Sequence, residues 1–392
     1  MIGRLPFRRK ELAALMVTLW IPGASMAQTV WNGGGGDSNW STGANWVGSA
    51  APPSSNTSFV QFGLPSVNFT PNADSPWTLN RLDISGATSY ALTGSTLTFS
   101  GTLPQINTGG AAHSIANDLI LAATLGLTNS TDVSLTGAIT GASSLNKSGV
   151  GTLTLSGAPL NTGTTTISTG TLQIGTGAPL AVSGNFGGAV VNNGTLVVDN
   201  GAAGNFVVLA GLTGTGSLIK NGGGTLNAIG PDWNYSGNTT LNAGIIDAPI
   251  ISTGRLTVNG GIFRNNLLSS SSFGSLAGSA GTTIDLNGGT LTVGGDNSST
   301  TYSGTFSAIP GNLVKAGTGT LILEGAPLHT GTTTINGTLQ IGTGAPLAVS
   351  GNFGGAVVNN GTLVVDNGAA GNFVVLAGLT GTGSLIKNGG GT

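Results

Sequence analysis

The amino-acid sequence predicts an all-β protein, a right-handed parallel β-helix (a β-solenoid) with an atypical N-terminal cap. Short runs of alternating apolar and polar residues, each closed by glycine, recur along most of the 392-residue chain. Such period-two alternation is typical of half-buried strands, and the glycine, asparagine and serine residues between the runs supply turns. Units of this kind cannot bury their own apolar face alone, so they have to stack on one another as a solenoid.

The clearest runs lie in the segment 145–175. In it Leu153 and Leu155 would face the interior, while Thr152 and Thr154 face solvent. Nothing in this segment has the length or the spacing of a helix. We therefore expect leucine, isoleucine and valine residues from successive coils to stack in interior columns.

A long duplication supports the solenoid. The segment Thr171–Thr225 recurs without change as Thr338–Thr392. Upstream the two copies differ at a few positions, among them Thr154/Ile322, Ser156/Glu324 and Asn161/His329. The alternation places these changes on the outward face or in a turn, so the His329 side chain is expected to be solvated.

Two other interpretations of the pattern stay open. The pairs Asn193-Gly194, Asn221-Gly222 and Asn360-Gly361 suit left-handed turns of a solenoid. They also suit hairpin turns in an antiparallel sandwich or in a string of small β domains. A chain with 70 glycines also permits disorder. The regular placement of its 39% apolar residues opposes that interpretation.

Residues 1–27 predict a secretory signal peptide. The segment begins with basic residues, continues with a nearly apolar stretch over 12–21, and ends in Ser25-Met26-Ala27. The apolar stretch is too short to span a bilayer. The ordinary secretory route is favoured, and the Arg8-Arg9 pair leaves a twin-arginine route open. We therefore expect an exported protein.

Charge and cysteine usage limit the partners. Without the signal peptide the chain has seven basic residues (11 less Arg4, Arg8, Arg9 and Lys10) and twelve acidic ones (13 less Glu11). This sparse, slightly acidic surface argues against nucleic acid and anionic membranes as partners. There is no cysteine, so the stability of an exported chain has to come from packing and backbone pairing.

The mature chain divides into two parts. Residues 28–140 form the N-terminal cap and irregular solenoid rungs, and residues 141–392 form the repeat solenoid with its tandem duplication of about 167 residues. Trp31, Trp40 and Trp46 would cover the bare end of the stack. The alternative is that these three tryptophans contact a glycan by stacking on its rings. At the other end the last coil is half built, which predicts truncation at the C-terminus.

The acidic residues do not predict an active site. Glycoside hydrolysis needs two carboxylates that converge on one bond. No common coil spacing relates Asp199, Asp232, Asp247, Asp285, Asp296 and Glu324. A lyase would need a basic residue beside its acids, and Arg255 and Arg264 are the arginines nearest to Asp247. We predict that the protein is not an enzyme, with a β-helical polysaccharide lyase or hydrolase as the alternative.

Metal and cofactor sites have no support in the sequence. His113 and His329 are isolated and cysteine is absent. The glycine clusters lack the strand–helix context of a phosphate-binding loop. Trp233 and Tyr235 are better explained by packing than by ligand binding. An ice-binding face of Thr-x-Thr pairs would need coils of constant length, which the uneven leucine spacing opposes.

The repeats resemble the autotransporter-associated β-strand repeat, also called the passenger-associated transport repeat. In that pattern a lysine and glycines lead into Gly-Thr-Leu-Thr-Leu-Ser-Gly, a Thr-rich turn and a further Gly-Thr-Leu. Matching sets begin at Lys147, Lys220 and Lys315, and a fourth begins around Leu385-Ile386-Lys387. The start around the three tryptophans is also similar to that of such proteins.

The resemblance implies an exported passenger displayed at the outer face of a Gram-negative cell. Its role would be structural, transport-supporting or adhesive and non-catalytic, with glycans or the surface of a host or neighbouring cell as partners. It also implies a C-terminal outer-membrane barrel, whose alternating segments of about ten residues are not present in this chain.

Overall fold

The computed structural model describes residues 28–63, 65–178, 184–186, 188–201, 206–228, 230, 233–325, 327–345, 351–368 and 374–391. The predicted signal peptide and Asp232 lie outside these residues. The regular secondary structure of these residues consists of short β-strands joined by turns, apart from one short 3-10 helix, Gly43–Asn45. The predicted parallel β-solenoid is confirmed.

The first two faces of the solenoid are long sheets. Sheet 1 has 17 strands in the described residues. They are Gln28–Val30, Phe59–Phe62, Arg81–Ile84, Gln105–Thr108, Leu125–Asn129, Leu145–Ser148, Thr165–Ile167, Val190–Asn192, Leu212–Gly214, Trp233–Tyr235, Ile251–Ser252, Ser270–Phe273, Thr290–Val293, Asn312–Lys315, Thr333–Ile335, Val357–Asn359 and Leu379–Thr380. Sheet 2 has 16 strands in the same part of the chain. They are Asn72–Ala73, Ala91–Gly94, His113–Ile115, Val133–Leu135, Thr152–Leu155, Thr171–Ile174, Thr195–Asp199, Ser217–Asn221, Thr239–Leu241, Arg255–Val258, Ser275–Gly278, Thr300–Tyr302, Thr320–Leu323, Thr338–Ile341, Thr362–Asp366 and Ser384–Asn388.

The third face is interrupted and consists of groups of four, seven and two strands in the described residues. The first group is Trp77–Leu79, Leu97–Phe99, Leu119–Leu121 and Ile139–Thr140. The second is Gly184–Phe186, Phe206–Leu209, Thr225–Ala228, Ile245–Asp247, Ile262–Arg264, Thr283–Asp285 and Thr305–Phe306, and the third is Gly351–Phe353 and Val374–Leu376. Most coils pass from sheet 1 to sheet 2 and then to this third face.

The strands pair in parallel along each face, so the hairpin interpretation is wrong. One isolated antiparallel bridge, between Trp31 and Trp46, lies in the cap. Two strands of this chain can pair in parallel only after the chain has completed one full coil of the solenoid. Each strand is therefore hydrogen-bonded to strands of the preceding and following coils, and not to its neighbours in the same coil.

The interior columns form as the alternation predicts. Leu153, Leu172, Leu196 and Leu218 are direct partners in four successive strands of sheet 2, and all four are fully buried. Burying a leucine side chain contributes roughly 1.5–3 kcal/mol, so such columns hold successive coils together. The sequence spacing between consecutive leucines of this column changes from coil to coil. The corners between the sheets therefore absorb the differences in coil length.

The Asn-Gly pairs are turns of the solenoid, but they do not all require the left-handed conformation. Gly222 has a φ of 69°, as expected. Gly194 lies outside the left-handed region and is constrained in another way. A Cβ atom there would overlap the carbonyl oxygen of Gly170 in the preceding coil. Close stacking of coil on coil excludes a side chain at this corner.

The N-terminal cap is a cluster of aromatic rings. The exposed fractions of Trp31, Trp40 and Trp46 are 0%, 0% and 1%. Trp46 packs edge-to-face against both others, with ring centroids 5.0 Å from Trp31 and 5.9 Å from Trp40. The Trp46 indole N–H donates to the Trp40 carbonyl oxygen at 2.7 Å. These rings close the interior of the solenoid, and none presents an open face on which a sugar ring could stack.

Candidate functional site

Three lysines are buried inside the solenoid, in phase with its aliphatic columns. The exposed fractions of Lys147, Lys220 and Lys315 are 0%, 0% and 1%. In sheet 1, Lys147 pairs directly with Leu127 of the preceding coil and Ile167 of the following coil. Its aliphatic stem thus continues an apolar column, and its ammonium group reaches the corner between two sheets.

The Lys147 ammonium group binds main-chain carbonyl oxygens at this corner. Nζ donates to Gly149 at 2.8 Å, to Thr169 at 3.1 Å and to Ser148 at 3.2 Å. Ser148 and Gly149 follow the lysine directly, whereas Thr169 belongs to the next coil. One side chain therefore ties the corners of two successive coils together and satisfies buried carbonyl groups.

Lys220 makes an equivalent set of hydrogen bonds at the next corner of the coil, between sheet 2 and the third face. We call a buried lysine that bonds carbonyl oxygens of two successive coils a lysine clamp. Its Nζ donates to Asn221, to Gly222 at 2.7 Å and to Ala243 of the following coil at 3.4 Å. The clamp therefore occurs at two different corners of the coil. It is used at either end of sheet 2.

Burial in these corners changes the protonation of the amines. It lowers the pKa of Lys147 to about 8. It lowers the pKa of Lys220 to about 8 as well, although the charge of Asp199 favours the ammonium form. The pKa of Lys315 is lowered by the same cause, with Asp296 opposing the shift. A lysine amine that solvent does not reach is suited to hydrogen-bonding main-chain carbonyl oxygens and not to reacting with a substrate.

Two of the acidic residues considered for catalysis come together on the third face. Asp247, Arg264 and Asp285 occupy the same register position in three successive coils. The Arg264 Nη1 atom lies 3.7 Å from Asp247 Oδ2, and Arg264 Nε lies 3.1 Å from Asp285 Oδ2. These two acids therefore share one row although no common coil spacing relates them.

The arginine between the two carboxylates limits their use in acid–base chemistry. The pKa of Asp247 is raised, first by burial, with the positive charge of Arg264 opposing the rise and the negative charge of Asp285 adding to it. Arg264 forms an ion pair with each carboxylate and lies between the two acids in the row. This row is a ladder of charges across three coils, and it stabilises the outer surface of the third face modestly.

Asp296 and Glu324 accept hydrogen bonds from the preceding coil, and Asp296 also accepts one from its own turn. Asp296 accepts from the Ser275 hydroxyl at 2.7 Å and from the Ser298 amide N–H at 2.8 Å. Glu324 accepts from the Ser303 hydroxyl at 2.6 Å. Within the described residues, no group of three or more histidine, cysteine or acidic side chains has a geometry that would hold a metal ion.

His329 is buried, so the expectation that it is solvated is wrong. It is 1% exposed, its Nε2 lies 2.9 Å from the Thr333 hydroxyl, and its ring packs against Phe306 with centroids 5.4 Å apart. Burial lowers the pKa of His329 to about 4. Its counterpart Asn161 is equally buried, so this difference between the copies lies inside the solenoid.

The remaining candidates are packing residues. Trp233 and Tyr235 are 0% and 3% exposed, as the packing interpretation predicts. The Tyr235 hydroxyl is hydrogen-bonded to Thr239. His113 is also buried, and its Nδ1 accepts from the Tyr90 amide N–H at 3.1 Å. In the part of the chain that the structure describes, no helix has the length and apolar character needed to cross a membrane.

Comparison with known proteins identifies the repeated unit. Residues 145–174 and 313–341 match the family model of the passenger-associated transport repeat. The chain carries passenger-associated transport repeats. Lys147 and Lys315 lie within the matched segments, so the buried corner lysine is part of the repeat.

One curated relative also aligns with this chain. It is the protein named Adhesin BmaC autotransporter from Brucella suis biovar 1 (strain 1330), with 34% identity over 145 residues. The aligned part covers 36% of this chain and 4% of that protein, so the chain spans only a small share of its relative. No solved structure matches the chain.

The buried role of the repeat lysine is not among the sequence predictions, because charged residues usually lie on the outward face of a strand. The signal is nevertheless present in the sequence. Lys147 stands two positions after Leu145 and thus has the same parity as the interior leucines. Lys220 and Leu218 have the same relation, and glycine follows each lysine within two residues to form the carbonyl-bearing corner.

Proposed function

We propose that this protein is an exported passenger of the autotransporter type, displayed at the surface of a Gram-negative cell. Its solenoid would serve as a non-catalytic structural, transport-supporting or adhesive rod. The observation that carries the proposal is the parallel solenoid in which the two segments that match the transport repeat each bury a corner lysine, Lys147 and Lys315. The likeness of part of the chain to an autotransporter adhesin supports the adhesive role.

The stacking of coils suits an exported chain without cysteine. Each coil buries its apolar residues against the preceding coil, so the rod can grow coil by coil as the chain emerges outside the cell. Backbone pairing, aliphatic columns and lysine clamps replace the disulfides that stabilise many exported proteins. The predicted signal peptide, residues 1–27, would direct the first step of export.

Adhesion would use the outward faces of the sheets. These carry threonine, serine and asparagine side chains at alternate positions, and they are repeated at the coil spacing along the rod. Weak contacts to glycans or to the surface of a host or neighbouring cell would add up because many equivalent positions are presented together.

Surface display is tested on intact producing cells with an antibody raised against the chain. We expect the antibody to label unpermeabilised cells, and external protease to remove the label while a periplasmic marker protein stays intact. Labelling that appears only after permeabilisation of the outer membrane would contradict display.

The adhesive role is tested separately with the purified protein. Beads coated with the folded chain should bind cells or extracted surface glycans more than beads coated with the same chain after heat unfolding. Equal binding by both preparations would leave a structural or transport-supporting role and remove the adhesive one.

A polysaccharide-degrading enzyme remains the competing function, because Asp247 and Asp285 share one row of the third face. The Arg264 ion pairs between them oppose it. We expect no reducing or unsaturated sugars to be released from pectin-like polymers. Release that disappears in Asp247→Asn or Asp296→Asn would overturn the non-catalytic proposal.

A further inference from the structure

Two clefts of similar size open at the carboxyl ends of sheet 1 strands, where the coil turns toward sheet 2. The first has a volume of about 300 Å³ and is lined by residues of three successive coils, including Asp83, Asn107 and Thr128. The second has a volume of about 290 Å³ and is likewise lined by three coils, with Thr253, Ser272 and Asp296 among its residues. Both clefts lie outside the segments 145–174 and 313–341 that match the repeat family.

The first cleft is shaped by an alternation of serine and glycine. Ser85 and Ser130 follow sheet 1 strands in two coils, and Gly109 stands at the same position in the coil between them. A Cβ atom at Gly109 would lie 2.9 Å from the Ser130 hydroxyl oxygen. The missing side chain therefore leaves a notch that the Ser130 hydroxyl borders on one side, whereas the Ser85 hydroxyl leans toward Gly63 of the preceding coil.

Polar groups in the first cleft are held in fixed positions. Asp83 accepts from Arg81 Nε at 2.9 Å and Nη2 at 2.8 Å, and from Asn107 Nδ2 at 2.8 Å. A carboxylate offers about four acceptor positions, so about one remains for a ligand hydroxyl. The exposed residues Ser85, Thr128 and Ser130 line the same cleft.

The second cleft repeats this chemistry with different residues. Asp296 uses one oxygen for the Ser275 hydroxyl and the other for the Ser298 amide, which leaves about two acceptor positions. Ser275 in turn accepts from Arg255 Nε at 3.3 Å. At Gly295, no atom lies within 4 Å of the position that a Cβ would take, so the cleft is open on that side.

The charges indicate the class of ligand. Each cleft contains one carboxylate and has one arginine beside it, joined directly in the first cleft and through Ser275 in the second. The opposite charges balance, so neither cleft favours a polyanion or a polycation. What remains for recognition is a set of hydroxyl, amide and carboxylate groups, which match the hydroxyl groups of a sugar.

The clefts are related by the solenoid repeat. Eight successive strand pairings separate the central strand of the first cleft from that of the second. At about 4.8 Å per strand the clefts lie about 38 Å apart along the same edge of the rod. Each volume is at the small end for ligand sites, roughly 300–1,000 Å³, and suits a short part of a chain-like ligand.

We propose that the two clefts bind a neutral, hydroxyl-rich saccharide, one short segment of the sugar chain in each, and that a long chain occupies both at once. This inference rests on the proposed adhesive role and names its ligand class and its residues. Occupying two sites with one chain can raise affinity by roughly 10²–10⁴ over either site alone.

The test is calorimetric titration of the whole chain with neutral hexasaccharides of glucose, mannose and galactose, and with the corresponding polymers. We expect two binding events per chain for at least one hexasaccharide. The double variant Asn107→Ala/Thr128→Ala should remove one event, and Thr253→Ala/Asp296→Asn should remove the other. Either double variant should weaken binding of the polymer at least tenfold.

The control is Thr166→Ala, an outward residue of sheet 1 between the clefts, which should keep both binding events. Circular dichroism and melting of each variant check that the solenoid still folds. The inference is overturned if no neutral saccharide binds, if both double variants bind like the parent chain, or if oligogalacturonate binds more tightly than every neutral sugar. The titration uses purified protein, so it can fail while surface display holds, or succeed while surface display fails.

Discussion

The segments Thr171–Thr225 and Thr338–Thr392 have the same sequence, yet their last strands of sheet 2 differ in burial. Leu218 in the first copy is 0% exposed, whereas Leu385, its counterpart, is 52% exposed. The strand Ser217–Asn221 is paired with Thr239–Leu241 of the next coil. No further coil of the described residues covers Ser384–Asn388.

The difference between the copies shows where the burial in a solenoid comes from. Lys220 is buried and its ammonium group donates to a carbonyl oxygen of the following coil, while Lys387 is exposed and, among the described residues, donates to Asn388 and Gly389 of its own corner. The amino-acid sequence determines which residues alternate, but a neighbouring coil is needed to bury them. Substitutions at matched positions of the two copies can test this directly.

The largest effect is expected for Leu218→Ala. Removing a fully buried leucine side chain should lower the free energy of unfolding of the surrounding coils by about 2–5 kcal/mol. In the chain of 392 residues the matched variant Leu385→Ala should lower it by less than about 1 kcal/mol, because that side chain is half exposed. Denaturant titration followed by native-state hydrogen exchange measures both, and equal losses would contradict the account.

His329→Asn should remove a sensitivity to acid from the second copy. The His329 pKa is about 4 in the folded chain, below the ordinary value of 6.5. As the pH falls from 6.5 toward 4, the unfolded chain gains a proton that the folded chain excludes, so folding stability decreases. The loss is at most about 3 kcal/mol.

Urea titrations at pH 7, 5.5 and 4 measure this loss. The variant should be less sensitive to acid than the parent chain, and the reciprocal change Asn161→His should introduce the same sensitivity into the first copy. A pH dependence that is the same in all three proteins would show that His329 is not desolvated.

Lys220→Met should remove part of the rise in stability at alkaline pH. The Lys220 pKa is about 8 in the folded chain, below its ordinary 10.5, because the ammonium form is desolvated. Between pH 8 and 10.5 the unfolded chain keeps a proton that the folded chain has released, so stability increases with pH, by at most about 3 kcal/mol per lysine.

The pH range for this comparison is 7 to 9.5, since burial also raises the pKa of Tyr235 and Tyr302 and their ionisation would destabilise the fold at higher pH. The exposed Lys387→Met is the matched control and should leave the rise unchanged. If Lys220→Met also leaves it unchanged, the buried amine is not its source.

The smallest effect is expected for Thr154→Ile, a difference that already exists between the copies as Thr154 and Ile322. Both side chains lie on the outward face of sheet 2 and are partly exposed. The change in stability should stay within about 0.5 kcal/mol, as for most surface substitutions. A much larger loss in a melting experiment, of the size typical for core substitutions, would mean that this face is packed against another part of the molecule.

The parts of the fold that depend on local pattern could be predicted from the sequence. Alternation alone places Leu153 and Leu172 inside, and the need to close a stack explains the aromatic cap around Trp46. The interior positions of Lys147 and His329 could not be predicted in the same way. A polar residue is normally expected on the outer face of a strand. The position of Lys147, two residues after the buried Leu145, nevertheless places its side chain on the inner face.

Contacts between coils were harder to predict because they depend on coil length. The sequence step from Asp247 to Arg264 is shorter than the step from Arg264 to Asp285, yet the three residues share one row. No fixed spacing reveals such a row. The two clefts depend in the same way on which glycine and serine residues the corners bring into register.

Hydrogen exchange of Ser217–Asn221 and Ser384–Asn388 tests most directly whether the neighbouring coil supplies the stability. The two strands have the same sequence, so their intrinsic exchange rates are equal, and Ile386→Val distinguishes the second copy by mass. For the chain of 392 residues the account predicts slow exchange in Ser217–Asn221 and exchange at least a hundredfold faster in Ser384–Asn388. Equal protection of the two strands would contradict it.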